Sequence, residues 1–249
     1  MTQPRITIIT AALNPGAEVR QTIESVLAQR YQSLEYIFID GGSQPSALEL
    51  IEPYRKRFAV FVSERDEGIS DAWNKGIALA TGDIIGLINA DDYLLPGALA
   101  AVADAYQQNG GASIVHGDAL RVEGDRKRRR NPTQPLYVMI RFGTPVVHPA
   151  TFVPRTIYDR IGAFDKSYKI AMDYDFILRA YRADVPFSRL ARPLVGFRAG
   201  GLSDRKPLEG FREVRDSQLS HGFNRPLAQL IYTTKRFVRM YIRPIIGLA

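Results

Sequence analysis

Apolar positions along the chain follow two periods, and the switches between them mark the elements. Ile6 to Thr10 is a short β-branched run, the pattern of a strand. Asn14-Pro15 reads as an N-cap followed by proline at the first helical position. Val19, Ile23, Val26 and Leu27 then recur at helical spacing, so one face of that helix should pack on a sheet. Leu34 to Ile39 is a second strand, Leu48 to Phe58 a helix and Ala59 to Val62 a third strand. Ile69, Trp73, Ile77 and Ala80 share a face of the next helix, which Gly82 is expected to close. The unbroken run Ile84 to Ile88 reads as a strand buried on both faces. After Pro96-Gly97 an alanine-rich helix runs to Asn109, Gly110-Gly111 stop it, and Ser113 to His116 is a further strand. Strand and helix in alternation predict an α/β domain on a mostly parallel sheet with right-handed crossovers.

The pattern changes after residue 130. Arg121 to Arg130 reads as a hairpin or surface loop ending in the basic run Arg126 to Arg130, and prolines at 132, 135, 145, 149 and 154 then break the alternation. Ile157 to Ile161 is a short helix, and Phe176, Ile177 and Ala180 bury one side of another that opens near Asp173. Gly200-Gly201 lie in a loop able to fold over a ligand. No acid follows Asp216. On a helical projection Lys235, Arg236, Arg239 and Arg243 fall within roughly one quadrant. Leu227, Leu230, Ile231, Phe237, Val238, Tyr241, Ile242 and Ile245 occupy the facing arc. Such a helix suits an anionic membrane surface, and equally a helix docked on the domain or on a second subunit with its basic edge in solvent. The expected organisation is one domain over 1–216, with a first half to 119 and a second from 120, and a basic amphipathic tail over 217–249.

Composition narrows the class. The 249 residues are 45% hydrophobic and 24% charged, ordinary for a globular protein of this size. A formal net charge of +7 favours anionic partners such as nucleotides or phospholipid surfaces. Cysteine is absent, which excludes disulfides and thiolate chemistry. No secretory leader and no apolar run of spanning length is visible, so a cytoplasmic protein is expected, peripheral on the inner face of the cytoplasmic membrane if the tail binds lipid.

The candidate chemistry starts at Asp91 and Asp92. They follow the buried strand at its carboxyl end, where open α/β sheets bind ligands. Paired carboxylates repel, a divalent cation relieves them, and a diphosphate can supply the remaining oxygen ligands. Asp40 ends the second strand before Gly41-Gly42-Ser43, placed either to accept hydrogen bonds from a ribose or to make an Asp-Gly turn. Asp71, Asn74 and Lys75 occupy the polar side of the Trp73 helix. His148 sits among the prolines, and Asp173 opens a helix as either an N-cap or a base.

Taken in order, Asp40-Gly-Gly-Ser, Asp71-Ala-Trp-Asn-Lys-Gly, Leu87-Ile-Asn-Ala-Asp-Asp, Gly162-Ala-Phe-Asp and Asp173-Tyr-Asp resemble the inverting family 2 glycosyltransferases, over residues 5 to about 205. The likeness is closest to bacterial members that build surface polysaccharides. It implies a GT-A fold, a nucleotide-diphosphate sugar donor (a UDP-sugar favoured), a divalent cation, Mg²⁺ or Mn²⁺, and a saccharide or lipid-linked acceptor. Carried over by residue, Thr10, Ala11 and Asp40 would line the base and ribose pocket, and Asp66 and Lys75 would flank the donor. Asp91 would face the ribose or sugar and share the metal with Asp92, and Asp173 would be the base; His148, outside these motifs, is either a substrate contact or a satisfied structural residue. Two departures stand out: Asn89 replaces the first acid of the usual acidic triplet, and Met172 replaces the Glu that often precedes the base.

Two other classes compete. A sugar nucleotidyltransferase needs a Gly-rich basic loop after the first strand, where this chain has Ala11-Ala-Leu-Asn-Pro-Gly. A basic membrane- or nucleic-acid-binding module would use the runs at 126–130 and 235–243. A stacking platform of interleaved aromatics is not evident, so no nucleic acid is expected as partner. Oligomeric state is left open.

Overall fold

The computed structural model describes residues 3–132 and 135–242. The first half runs β1 (Ile6–Ala12), α1 (Glu18–Leu27), β2 (Leu34–Asp40), α2 (Pro45–Leu48), β3 (Val60–Ser63), α3 (Ile69–Leu79), β4 (Ile84–Asn89), β5 (Tyr93–Leu94) and α4 (Ala98–Gln108). The second half adds β6 (Ile114–Glu123), β7 (Arg126–Arg130), α5 (Leu136–Met139), β8 (Thr151–Pro154), α6 (Arg155–Ile161), α7 (Met172–Arg182), β9 (Phe187–Arg198), α8 (Leu202–Arg205), α9 (Pro207–Ser220) and α10 (Arg225–Phe237). A π-helical turn, Val238–Ile242, continues α10.

One mixed sheet of nine strands carries the fold, in the order β3-β2-β1-β4-β8-β6-β9-β5, with β7 paired to β6. The expected parallel order holds for β3, β2, β1 and β4. Beyond β4 the sheet is mixed: β8 runs antiparallel to β4 and β6, while β6 and β9 are parallel. Central strands must be apolar on both faces, and they are. Ile9, Ile37, Ile39 and Leu87 pack on the side of α3, α6 and α7 with Trp73, Phe164, Phe176 and Ile177. Ile8, Phe38 and Ile88 pack on the side of α1 and α4 with Ile23, Leu99 and Val102.

Several local expectations need correction. Asn14 is no helix cap: α1 starts at Glu18, and Asn14 sits at φ 47°. Its N–H donates to Ser43 Oγ at 2.7 Å and its Oδ1 accepts from Gln44 N at 2.8 Å, tying the β1 loop to the β2 loop. The helix expected over 48–58 is α2 followed by a 3₁₀ turn, Glu52–Arg57, because Pro53 lacks the N–H that an α-helical interior needs. Gly82 does not close α3, which ends at Leu79; a Cβ there would lie 2.5 Å from Thr7 Oγ1, so the glycine serves close approach to β1. Residue 119 lies within β6, and residue 216 within α9, where the buried Ser217 and Gln218 follow.

α9 is joined to the domain by several contacts, one of them a buried cluster. Asp175 of α7 accepts from Arg179 Nε at 2.9 Å and from Ser217 Oγ at 2.9 Å, and meets His221 Nε2 at 3.0 Å. Ser217 donates to the carboxylate, not to the imidazole, so this is a structural clasp between α7 and α9.

Candidate active site

The carboxyl ends of β1, β2 and β4 converge by register: Ala11 lies opposite Ile39 on one side and Asn89 on the other. Thr10 and Ala11 reach this end but are buried, and the Thr10 hydroxyl is within 3.1 Å of Tyr36 Oη inside the core, so only backbone of this pair faces the strand end. Asp40 is fully buried. Its carboxylate accepts from Ser63 Oγ at 2.7 Å, Ser43 N at 3.1 Å and Gly42 N at 3.2 Å, which fixes the turn after β2 to the end of β3. Of the two roles open to Asp40, the turn is the one its contacts fulfil.

Asp66 is half-buried directly over that turn. A Cβ on Gly41 would stand 2.3 Å from Asp66 Oδ2, so glycine is what lets the two loops close. Asp66 Oδ1 accepts from Gly68 N at 2.9 Å, just ahead of α3. Lys75, on α3, reaches back to Glu64 at 2.8 Å, Arg65 O at 3.1 Å and Asp71 at 3.6 Å. The hydrogen bond to Glu64 raises its pKa above the usual lysine value. Lys75 therefore braces the loop that carries Asp66.

Asp91 and Asp92 separate sharply. Asp91 is exposed at the strand end, whereas Asp92 is only 3% exposed. Asp92 accepts from Asn89 Nδ2 at 2.9 Å and from Arg198 N at 3.3 Å. Burial, reinforced by the charge of Asp91, pushes its carboxyl up to about 7. Asn89, the departure from the usual acidic triplet, is thus the neutral donor to Asp92. Among the described residues no group of three or more His, Cys, Asp or Glu could hold a metal ion. Mg²⁺-type cations are commonly held by one or two carboxylates and completed by substrate phosphates. Exposed Asp91, with a second carboxylate beneath it that a cation would relieve, fits that arrangement. Arg198, at the end of β9, adds a guanidinium held by Gln21 Oε1 at 2.7 Å, with its buried Nε unpartnered.

The second half supplies the facing wall. Asn74 of α3 exchanges hydrogen bonds with the backbone of Phe164, 2.8 Å and 2.9 Å, and so pins the Gly162-Ala-Phe-Asp segment to the first half. Trp73 stacks on His148 at 4.6 Å and lies 5.4 Å from Phe164. Burial drives the His148 pKa down against the opposing pull of the Asp173 carboxylate, and its Nδ1 is buried without a partner. His148 and Asp173 line one small cavity.

Asp173 is not the N-cap of α7; Ala171 is. It is half-buried within the first turn, where its Oδ1 accepts from Tyr174 N at 2.7 Å. Beyond the small cavity it also lines a cleft of about 500 Å³, between α7, α9, α10 and the segment around Phe142 and Thr144. Asp175, two residues on, is buried in the clasp to α9 and does not reach this cleft.

Besides Arg198, two residues escaped sequence reasoning. Glu213 of α9 accepts from three consecutive backbone N–H groups, Lys169 at 3.1 Å and Ile170 and Ala171 at 2.8 Å, directly ahead of α7. Lys235, expected on a solvent-facing basic edge, turns inward: it donates to Phe142 O and lies 5.3 Å from the Phe211 ring, lining the same cleft as Asp173. Arg239 is also half-buried. Arg236 of the same edge stays exposed, and so do the apolar Leu227, Leu230, Phe237 and Tyr241. Arg243 and Ile245 lie outside the described residues.

Residues 7–182 match the model of Glycosyl transferase family 2. An uncharacterized glycosyltransferase of Mycobacterium tuberculosis, Rv1514c, is 32% identical over 216 residues, 85% of this chain and 82% of that protein. A PGL/p-HBAD biosynthesis glycosyltransferase of the same species, Rv2957, is 27% identical over 82% of this chain and 81% of its own length. Among solved structures, Staphylococcus aureus TarS 1-349 in complex with UDP-GlcNAc superposes with a TM-score of 0.70 at 17% identity, covering 95% of this chain and 73% of that one. The mannosyltransferase PcManGT of Pyrobaculum calidifontis, in complex with GDP-Man and Mn²⁺, gives 0.65 at 16% identity over 96% of this chain and 71% of its own.

Proposed function

Because the chain belongs to glycosyl transferase family 2, we propose that it is a metal-dependent inverting enzyme. It would move a sugar from a nucleoside-diphosphate sugar, UDP-linked by preference, to a hydroxyl of a saccharide or lipid-linked saccharide. The pathway is assembly of a bacterial surface polysaccharide or glycolipid. The nucleotide lies across the ends of β1 and β2, over backbone at Thr10 and Ala11 and beside Asp66. The diphosphate lies by Asp91, where a Mg²⁺ or Mn²⁺ ion would neutralise charge as the leaving group departs. Asp92 and Arg198 hold that strand end from beneath.

The observation that carries this reading is the position of Asp173. It lines the roomy second-half cleft, on α7 and apart from the Asp91-Asp92 strand end, and it is the only acid among the described lining residues. A general base must reach the attacking hydroxyl, not the donor phosphates. Asp173 takes the proton of that hydroxyl as its oxygen forms the new bond to the anomeric carbon and the nucleoside diphosphate leaves from the opposite face. One displacement inverts the centre, and no covalent intermediate on the protein is required. His148, stacked on Trp73, fixes the wall beside the base.

The outward apolar face of α10, on a segment with no acid after Asp216, supports peripheral attachment to an anionic membrane at the cytoplasmic face. A lipid-linked acceptor would be met there.

Asp173→Asn tests the core of the proposal. Ala171, not Asp173, caps α7, so the variant should melt within a few degrees of wild type. Asn cannot take a proton, so transfer should fall about 10²–10⁴-fold. UDP affinity with Mn²⁺ should hold, because the base acts on the other substrate. Near-normal turnover would remove Asp173 from the mechanism.

A further inference from the structure

The cleft that Asp173 opens onto is charged in an unbalanced way. Two cations line it, Lys235 from α10 and Arg130 from the end of β7, against the single carboxylate of Asp173. Neither cation has an ion-pair partner among the described residues. Lys235 is half-buried, its ammonium bonded to one carbonyl oxygen, that of Phe142. Removing an ammonium from water without an anion is costly, and burial accordingly pulls its pKa below the usual lysine value. Arg130 is exposed. Phe142 and Phe211 supply apolar walls, the mixture of apolar lining and few polar groups that small-ligand sites share. Ser203, on α8 after the Gly200-Gly201 loop, closes one side.

We infer that the acceptor carries an anionic group, a carboxylate or a phosphate, next to the sugar whose hydroxyl reacts, and that Lys235 receives it with Arg130 at its flank. The inference rests on the glycosyltransferase reading and deepens it. It also gives α10 a role in the site: the helix brings the specificity-determining cation to the cleft from outside the segment that the family pattern covers. The anion satisfies the ammonium that the fold leaves short of partners.

The test uses the full chain saturated with UDP and Mg²⁺, and titrates three probes followed by saturation-transfer NMR: methyl β-glucoside, methyl β-glucuronide and glucose 6-phosphate. The charged probes are expected to bind at least about tenfold tighter than the neutral one at low salt, and less so at high salt. Glucuronide preferred over phosphate would identify an acidic polysaccharide, and the reverse a phosphate-bearing polymer or lipid; either supports the inference. Lys235→Gln keeps a donor for Phe142 O but loses the charge, so it should abolish the preference for charged over neutral probe, and Lys235→Arg should retain it. If Lys235 only docks α10, Lys235→Gln leaves the preference intact, and the inference is overturned. Equal binding of neutral and charged probes to the wild type overturns it without any variant. Failure of UDP itself to bind with Mg²⁺ overturns the UDP-linked donor and not the acceptor inference, which the three probes and the Lys235 variants decide separately.

Discussion

Glu213 offers the most direct way to separate fold from catalysis in this protein. Its carboxylate holds the N–H groups of Lys169, Ile170 and Ala171, the residues that lead into the turn carrying Asp173. The two 2.8 Å bonds, to Ile170 and Ala171, are partly buried, while that to Lys169 is exposed and open to water. Leaving a buried donor unsatisfied costs about 1–3 kcal/mol. Glu213→Ala orphans two such donors, so unfolding free energy should drop by roughly 2–6 kcal/mol, with little from the third. Glu213→Gln keeps one carbonyl oxygen for Ile170 and Ala171 but turns an amide NH₂ toward Lys169 N and loses the charge. About half the loss, roughly 1–3 kcal/mol, is expected from that variant.

The catalytic consequence is the sharper test. A displacement of about 1 Å in a reacting group can cost on the order of 10²-fold in rate. Glu213→Gln, still folded at 25 °C, should lose at least about tenfold in kcat by that argument, while UDP affinity stays near wild type. Urea unfolding, transfer kinetics and nucleotide titration on the same preparation supply the three numbers. A variant that loses stability but keeps full kcat per folded molecule would show that Glu213 anchors α9 without positioning Asp173. A loss below about 1 kcal/mol for Glu213→Ala would refute the bond-by-bond reasoning itself.

Acid should weaken the fold through His116, which lies buried on β6 with its Nδ1 unpartnered, its pKa pushed down to about 4 by burial and by Arg189. Folded protein binds fewer protons there than unfolded protein between pH 6.5 and 4, so stability is full above 6.5 and falls as pH drops through that window. The loss should reach about 2.5 kcal/mol by pH 4.5, and His116→Leu should remove it. A wild-type-minus-variant difference in urea stability that does not change with pH would sink this. At the membrane, Leu230→Glu with Phe237→Glu should cut binding to anionic vesicles at least about tenfold, since burial of that face and the basic charge act together. Unchanged vesicle binding at low salt would leave α10 as a docked helix only.

The first half of the fold, β5 apart, was legible because its longer buried strands announce themselves. Ile84 to Ile88 has no polar residue, and such a run bounded by turn residues has few alternatives. The second half was legible in its Arg121–Arg130 hairpin and in α6 and α7, but not in the rest of its sheet. β8 is four residues, and β9 carries Arg189, Arg192 and Arg198 in a pattern that looks like loop. Its pairing with β6 is set by tertiary contact, including the hold of Asp118 on Arg129 and Arg189, and local propensity does not register such contacts. The same limit applies to the site. Asp40, Asp91, Asp92 and Asp173 were recognisable by order and residue type, yet which carboxylate faces solvent depended on neighbours far along the chain. Asp92 is turned inward by Arg198, 106 residues away, and Asp40 by Ser63, 23 away.

The tail shows why a helical projection alone could not decide the matter. The projection separated Lys235 and the arginines from an apolar arc, and both expectations attached to it pointed the basic edge outward. The actual direction follows from the partner. α10 packs on α9, where Ala228 is buried and Arg215 lies 4.6 Å from the Tyr232 ring. Ala228 and Tyr232 project on the same side of the helix as Lys235, so docking that side carries the lysine into the cleft and leaves Leu227, Leu230 and Phe237 outside. A helix docked for stability alone would bury its apolar arc, worth about 25 cal/mol for each Å² removed from water. This one leaves that arc exposed and buries a cation. The choice makes physical sense when both faces have further partners: an anion in the cleft for Lys235, and lipid for the arc. On this argument acceptor recognition and membrane attachment share one helix. A single substitution on each face, Lys235→Gln or Leu230→Glu, should therefore impair one function and leave the other.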